Sequence, residues 1–231
     1  MSKKKKESAP EQFESVENVL SKSEQFIENN QKILTTVVLV ILVIVAAYLA
    51  FNRYYLKPME QEAQGQMFRA EQYFAQDSFN LALNGDGNYL GFLDIIDEYG
   101  ITKSANLAHY YAGISYLKKG QYDQAIEYLK DFKVDDKIVE PEKLGAIGDA
   151  YMEKGDIDEA LEYYKEAMSE DDNQFAKPLY MSKAAFAYEE KGEYEQALEL
   201  YKEIRLQFPN SSQSEDAVKS IARLKVLKNR S

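Results

Sequence analysis

The sequence predicts an all-α protein in which one apolar helix precedes a stack of helical hairpins. Two observations predict it. The first is a turn that recurs three times, as Lys119-Gly120-Gln121-Tyr122-Asp123-Gln124-Ala125, Lys154-Gly155-Asp156-Ile157-Asp158-Glu159-Ala160 and Lys191-Gly192-Glu193-Tyr194-Glu195-Gln196-Ala197, with its glycines 35 and 37 residues apart. A period near 34 residues is that of helix–turn–helix units that bury their apolar faces on one another. The second is the run Ile33 to Phe51, which carries no charged residue. As a helix it would be about 28 Å long, close to the roughly 30 Å of a bilayer's hydrocarbon core.

Residues 1–32 form the first segment, with six Lys and six Glu. Phe13, Val16, Leu20 and Ile27 share one helix face there. That pattern fits either a short helix on a membrane or neighbour, or a polar tail. The second segment, 33–51, is expected to be a retained membrane helix. A cleaved leader would have a short basic start and an apolar core of about 7–15 residues, and this chain has neither. Arg53, Tyr54 and Tyr55 follow it, residue types that suit the headgroup layer. Lys3, Lys4, Lys5, Lys6, Lys22 and Lys32 outnumber Arg53, Lys57 and Arg69 on the other side, which predicts the amino terminus in the cytoplasm. Ala46 and Ala50 have a small-residue spacing that can pair spans.

The third segment, 52–231, is the repeat domain. Each unit is expected to carry a small residue in its first helix, a tyrosine three residues on, a glycine turn and an alanine five past the glycine. Gly113, Tyr116, Gly120 and Ala125 supply these in unit one. Gly148, Tyr151, Gly155 and Ala160, then Tyr164 and Ala167, supply unit two. Ala185, Tyr188, Gly192, Ala197, Tyr201 and Pro209 supply unit three. Small residues let antiparallel helices approach, and glycine ends the first helix. This set of positions resembles the tetratricopeptide repeat. Residues 60–100 read as a degenerate fourth unit, with Ala63, Met67, Ala70 and Phe74 on one face of a helix from Glu62 to Ala75, and a second helix from Tyr89 to Tyr99. Asp156 with Glu159, and Ser212 with Glu215, have the spacing of helix caps. The latter would open a capping helix to about Lys228 with a polar outer face. Asn84-Gly85-Asp86-Gly87-Asn88 is a turn cluster. It lacks the glycine and the bidentate acid that a calcium loop requires.

The chain has no cysteine, which excludes disulfides, thiolate nucleophiles, thiolate–zinc sites and a lipidated cysteine. Its net charge of -11 lies after residue 51 and disfavours nucleic acid as a partner. The one histidine, His109, reads as a packing or surface residue, and acids such as Asp171-Asp172 as solvated loop charges. No phosphate loop, paired-acid signature or metal spacing occurs, so neither enzymatic activity nor a cofactor is expected. By repeat register the first helices line a groove with Leu107, Tyr110, Ile114 and Leu117, then Asp149 and Met152, then Leu179, Ser182 and Phe186. Tyr110, Ile114 and Phe186 have core packing as their alternative. The positions at which some repeat proteins carry a carboxylate clamp hold Tyr110, Ile114, Gly145, Asp149, Ser182 and Phe186. The groove is therefore expected to be apolar with acidic edges, suited to a hydrophobic or basic segment.

Phe26-Ile27-Glu28-Asn29-Asn30-Gln31-Lys32 before the span, together with the order of tail, span and repeats, resembles the ancillary SecYEG translocon subunit of bacteria. That resemblance implies an inner-membrane protein with a cytoplasmic tail and periplasmic repeats. It implies as partners the SecYEG export channel, a membrane-anchored periplasmic chaperone of the peptidyl-prolyl isomerase type, and exported proteins. The repeats alone fit two alternatives equally. One is a scaffold for another envelope assembly, in outer-membrane biogenesis, the surface layer or cell division. The other is an inverted topology with a cytoplasmic peptide receptor.

Overall fold

A computed structural model describes residues 9–169 and 176–228, with side chains over 24–169 and 176–227. The side chains of Phe13, Val16 and Leu20, the lysines at 3–6 and the Asp171-Asp172 pair lie outside the described residues. The chain divides into two compact units, Met1–Lys57 and Pro58–Ser231.

In the first unit α1 spans Ala9–Phe51, so the tail's helical pattern and the apolar run belong to one helix. From Val37 to Phe51 its large apolar side chains are about half exposed on every face. A helix apolar all round needs an apolar surrounding. The two threonine hydroxyls within this run are satisfied internally: Thr36 Oγ1 donates to the Lys32 carbonyl at 2.8 Å, and Thr35 donates to that of Gln31. Internal pairing is what a helix needs in lipid. This helix is long and apolar enough to cross a membrane. A π-helical turn, Asn52–Leu56, follows, with the Phe51 and Tyr55 rings stacked at 5.2 Å.

The second unit contains α2 (Lys57–Ala75), α3 (Phe79–Asn84), α4 (Phe92–Glu98), α5 (Lys103–Lys118), α6 (Tyr122–Asp131), α7 (Val139–Lys154), α8 (Ile157–Ala167), α9 (Ala176–Glu190), α10 (Tyr194–Gln207) and α11 (Ser212–Lys228), with no strand among the described residues. Ala63, Met67 and Ala70 of α2 are buried with Leu83, Phe92 and Ile95 as its core. The expected single helix from Tyr89 to Tyr99 is instead α4 alone, and Tyr89 belongs to the preceding loop. Asp86 causes the difference. Its carboxylate accepts from the Asn88 and Tyr89 amides at 2.9 Å and from the Tyr73 hydroxyl at 2.8 Å, which draws these residues into a turn. Glu60 bridges back to the start of α5, accepting from the Lys103 amide and the Ser104 hydroxyl at 2.7 Å.

The pairs α5–α6, α7–α8 and α9–α10 are the three regular hairpins. Their turns are one structure in triplicate. Gly120, Gly155 and Gly192 adopt φ of 71°, 85° and 77°. The next amides, of Gln121, Asp156 and Glu193, reach back to the carbonyls of Tyr116, Tyr151 and Tyr188 at 2.9 Å. This left-handed termination satisfies the helix's last carbonyls. The expected side-chain caps are not made. Asp156 instead pairs with Lys154 at 3.3 Å. Ser212 lies inside α11, its hydroxyl bonded to Gln213.

The small residues act as the sequence implies. A Cβ on Gly113 would meet Leu129 at 2.6 Å, and one on Gly148 would meet the Tyr164 ring at 2.6 Å. Within a hairpin the tyrosines stack, Tyr116 of α5 on Tyr128 of α6 and Tyr151 of α7 on Tyr163 of α8, at 5.3 and 5.5 Å. Lys130 lies over the rings of Tyr151 and Tyr163, and Lys165 over Tyr188. Two of the three turn lysines also reach the preceding hairpin: Lys154 contacts Asp123 at 2.8 Å and Lys191 contacts Asp158 at 2.6 Å. Those bonds hold both lysines above the ordinary lysine pKa.

Replacing Gly148 with leucine overfills the α7–α8 contact. Thermal unfolding of the full chain in detergent, followed by far-UV circular dichroism, is expected to show a loss of about 1–3 kcal/mol. An unchanged midpoint would contradict close approach at this site.

Candidate functional site

A cavity of about 890 Å³ opens where the first helices of the three hairpins face one another. Leu117 of α5, Asp149, Met152 and Glu153 of α7, and Leu179, Ser182, Lys183 and Phe186 of α9 line it, with Tyr164 and Tyr201 contributed by the second helices. Six of the nine residues expected from register are thus brought together: Leu117, Asp149, Met152, Leu179, Ser182 and Phe186. Phe186 is 51% and Leu179 37% exposed. Side chains of this size left half in water mark a contact surface more often than a fold requirement. The other three lie apart from this lining. Tyr110 packs on Phe132 at 5.4 Å, Tyr110 and Ile114 rest on the core formed by Ala125, Leu129 and Ile147, and Leu107 is exposed.

The floor is polar and fully partnered. Lys183 Nζ donates to both Asp149 carboxylate oxygens at 2.6 Å, and the Tyr164 hydroxyl donates to Oδ1 at 2.8 Å. The same device recurs one hairpin later, where the Tyr201 hydroxyl at 2.9 Å and Arg223 at 2.7 Å hold buried Glu189. In each pair the cation lies 34 residues after the acid. Lys183 escaped the register argument because it sits one residue beyond the position that faces the groove. Lys118 and Lys119 also border the cavity, opposite Glu153. The rim therefore carries both signs of charge, a correction to the acidic edge expected from sequence.

Burial, then the charge of Asp149, drives the Tyr164 hydroxyl well above the ordinary tyrosine range, and burial does the same at Tyr180. Tyr201 is pushed up to about 12 by burial and by its bond to Glu189. His109 sits beside Tyr128 with ring centres 5.9 Å apart, and burial lowers its pKa. Its Nδ1 has no partner among the described residues. No group of acids and histidine among the described residues is placed to hold a metal ion.

Family models of the tetratricopeptide repeat match residues 151–221 and 107–135. Among solved structures, the nearly identical TPR-like repeats of a Podosopora anserina protein described as a putative kinesin light chain are similar. One crystal structure of these repeats, a single-residue variant, aligns with a TM-score of 0.59 at 16% identity over 74% of this chain and 88% of that one. A second structure of the same repeats aligns at 0.58 and 14%, over 74% and 89%. Identities this low show the fold alone. No curated protein matches the sequence. The second unit is a tetratricopeptide-repeat solenoid, a protein–protein interaction scaffold of a type that is typically non-enzymatic.

The raised tyrosines predict an alkaline limit. A phenol whose folded pKa exceeds the unfolded value of about 10 contributes stability in full below that pH, and loses it as pH rises through the folded value. For Tyr201 the loss develops between about 10 and about 12. Tyrosinate absorbance read alongside circular dichroism is expected to show a late fraction of the 18 tyrosines ionising together with helix loss. One early phase with helix intact would contradict it.

Proposed function

We propose that this chain is a membrane-anchored scaffold that holds a segment of a partner protein in the cavity between the first helices of its hairpins. The observation that carries this reading is the half-exposed Phe186 beside Leu179, Met152 and Leu117, apolar groups supplied by three successive hairpins. A segment laid there covers the apolar side chains, while Glu153 and the lysines at 118 and 119 meet its polar groups. The apolar stretch of α1 supplies the anchor.

Within that reading, the chain is an accessory subunit of the SecYEG export channel. Its tail is in the cytoplasm and its repeats are in the periplasm at the bacterial inner membrane. It works with a membrane-anchored chaperone of the peptidyl-prolyl isomerase type and contacts exported proteins. The Phe26–Lys32 segment and the order of tail, span and repeats support this placement. A scaffold for another envelope assembly is the second reading, favoured by the same cavity without that segment.

Purification from gently solubilised membranes separates the two, because channel subunits are expected in the eluate and a different envelope machine alone would select the second. Phe186→Glu is expected to lower partner recovery at least tenfold while the unfolding midpoint stays within experimental error. Recovery unchanged by this substitution would remove the cavity as the binding site.

A further inference from the structure

The last helix of the solenoid is the first half of a hairpin. A stripe of three residues on each preceding first helix faces its own second helix: Leu144, Gly148 and Met152 on α7, then Met181, Ala185 and Glu189 on α9, each set 37 residues from the next. On α7 the Tyr164 ring of α8 lies over Gly148. On α9, Met181 and Ala185 are 2% and 0% exposed beneath α10, whose Tyr201 binds Glu189. A further 37 residues gives Val218, Ala222 and Val226 of α11. Here the stripe is open, with Val218 49% and Val226 51% exposed and Ala222 exposed between them. The opposite face of α11 is buried in the stack through Ala217, Ile221 and Leu224. The polar outer face expected of a capping helix is therefore replaced by an apolar row.

We infer that this row is a docking site for an acidic amphipathic helix of a partner protein, which completes the fourth hairpin. Two features of the chain define the occupant. The first is shape. Each second helix presents an alanine and, four residues later, a bulky group: Ala125 and Leu129, Ala160 and Tyr164, Ala197 and Tyr201. All six are buried. The bulky group sits over the small residue of the first helix, and Ala222 offers the same seat. The second is charge. α11 carries Glu215 and Asp216 against Lys219, Arg223, Lys225 and Lys228, in a chain whose net charge is -11. Arg223 is engaged by Glu189 and Lys219 by its exposed neighbour Asp216 at 2.9 Å, so Lys225 and the Lys219 ammonium edge supply the positive sign beside the row. By helical periodicity Lys219 and Lys225 flank the open row on either side. The second helix of unit two has the opposite balance, with Asp158, Glu159, Glu162 and Glu166 against Lys165. An acidic helix thus fits the row by sign as well as by shape, whereas a second α11 would bring the same basic excess against itself. This site lies at the end of the stack and is independent of the cavity.

The probe is a fluorescent, helix-stapled peptide with the sequence 156–168, titrated into the full chain in detergent and read by polarisation. Saturable binding is expected, weakening with added salt. It should weaken at least tenfold when the peptide tyrosine equivalent to Tyr164 is replaced by alanine, or when the chain carries Ala222→Lys. The latter keeps the basic charge but blocks the seat. Phe186→Glu should leave binding unchanged, which separates this site from the cavity. Equal affinity for Ala222→Lys with an unchanged unfolding midpoint, absence of binding, or a wild-type dimer that Ala222→Lys converts to monomer would each overturn the proposal.

Discussion

The repeat domain depends on how closely its paired helices approach. Where Gly113 meets Leu129 and Gly148 meets Tyr164, no space exists for a single added carbon. That proximity lets Tyr164 be buried to 3% exposure while its hydroxyl still reaches Asp149. Burying a side chain of this size contributes roughly 1.5–3 kcal/mol. The hydroxyl must also find an acceptor, or the burial costs as much as it gains. Small residue, large residue and acid are therefore one unit rather than three separate preferences.

The lining of the cavity follows from the same unit. Because Tyr164 is drawn beneath α7, Asp149 is fixed, and Lys183 is drawn to it from α9. This sets the spacing of adjacent first helices and leaves Leu179 and Phe186 facing open space, beside half-buried Met152. The turn lysines at 154 and 191 repeat the link on the outer side, each reaching an acid of the preceding hairpin. Such exposed pairs fix register more than they add stability. Lys130 over the Tyr151 and Tyr163 rings and Lys165 over Tyr188 complete the join. A stack so tied presents side chains from three hairpins as one surface.

How much of this was legible depended on periodicity. The three turns, the small residues and the tyrosines recur, so their roles could be read from the sequence. Six of the nine groove positions meet at one cavity for the same reason. Tyr110 and Ile114 carry core packing, Ile114 at a position where Asp149 and Phe186 of the other units line the cavity, because Phe132 and the α6 core lie against them. Lys183 was hidden because its role is set by Asp149, 34 residues away, and not by its own register. The turn before α4 was legible as the Asn84–Asn88 cluster, but the start of α4 at Phe92 instead of Tyr89 follows from hydrogen bonds of a single side chain, Asp86, which no periodic pattern reveals. The open row on α11 was masked by its charged neighbours, and only the structure showed which side of that helix is buried.

The tail and span rest on composition, while the repeats rest on packing, and the proposed function joins them through a partner held at the cavity. Photo-crosslinking in native membranes tests that join most directly, with a photoreactive residue placed either at Leu179 in the cavity or at Glu162, an exposed position on α8 outside it. A discrete protein adduct is expected from Leu179 and none from Glu162. Equal adducts from both positions, or an adduct from Glu162 alone, would contradict a partner seated at the cavity.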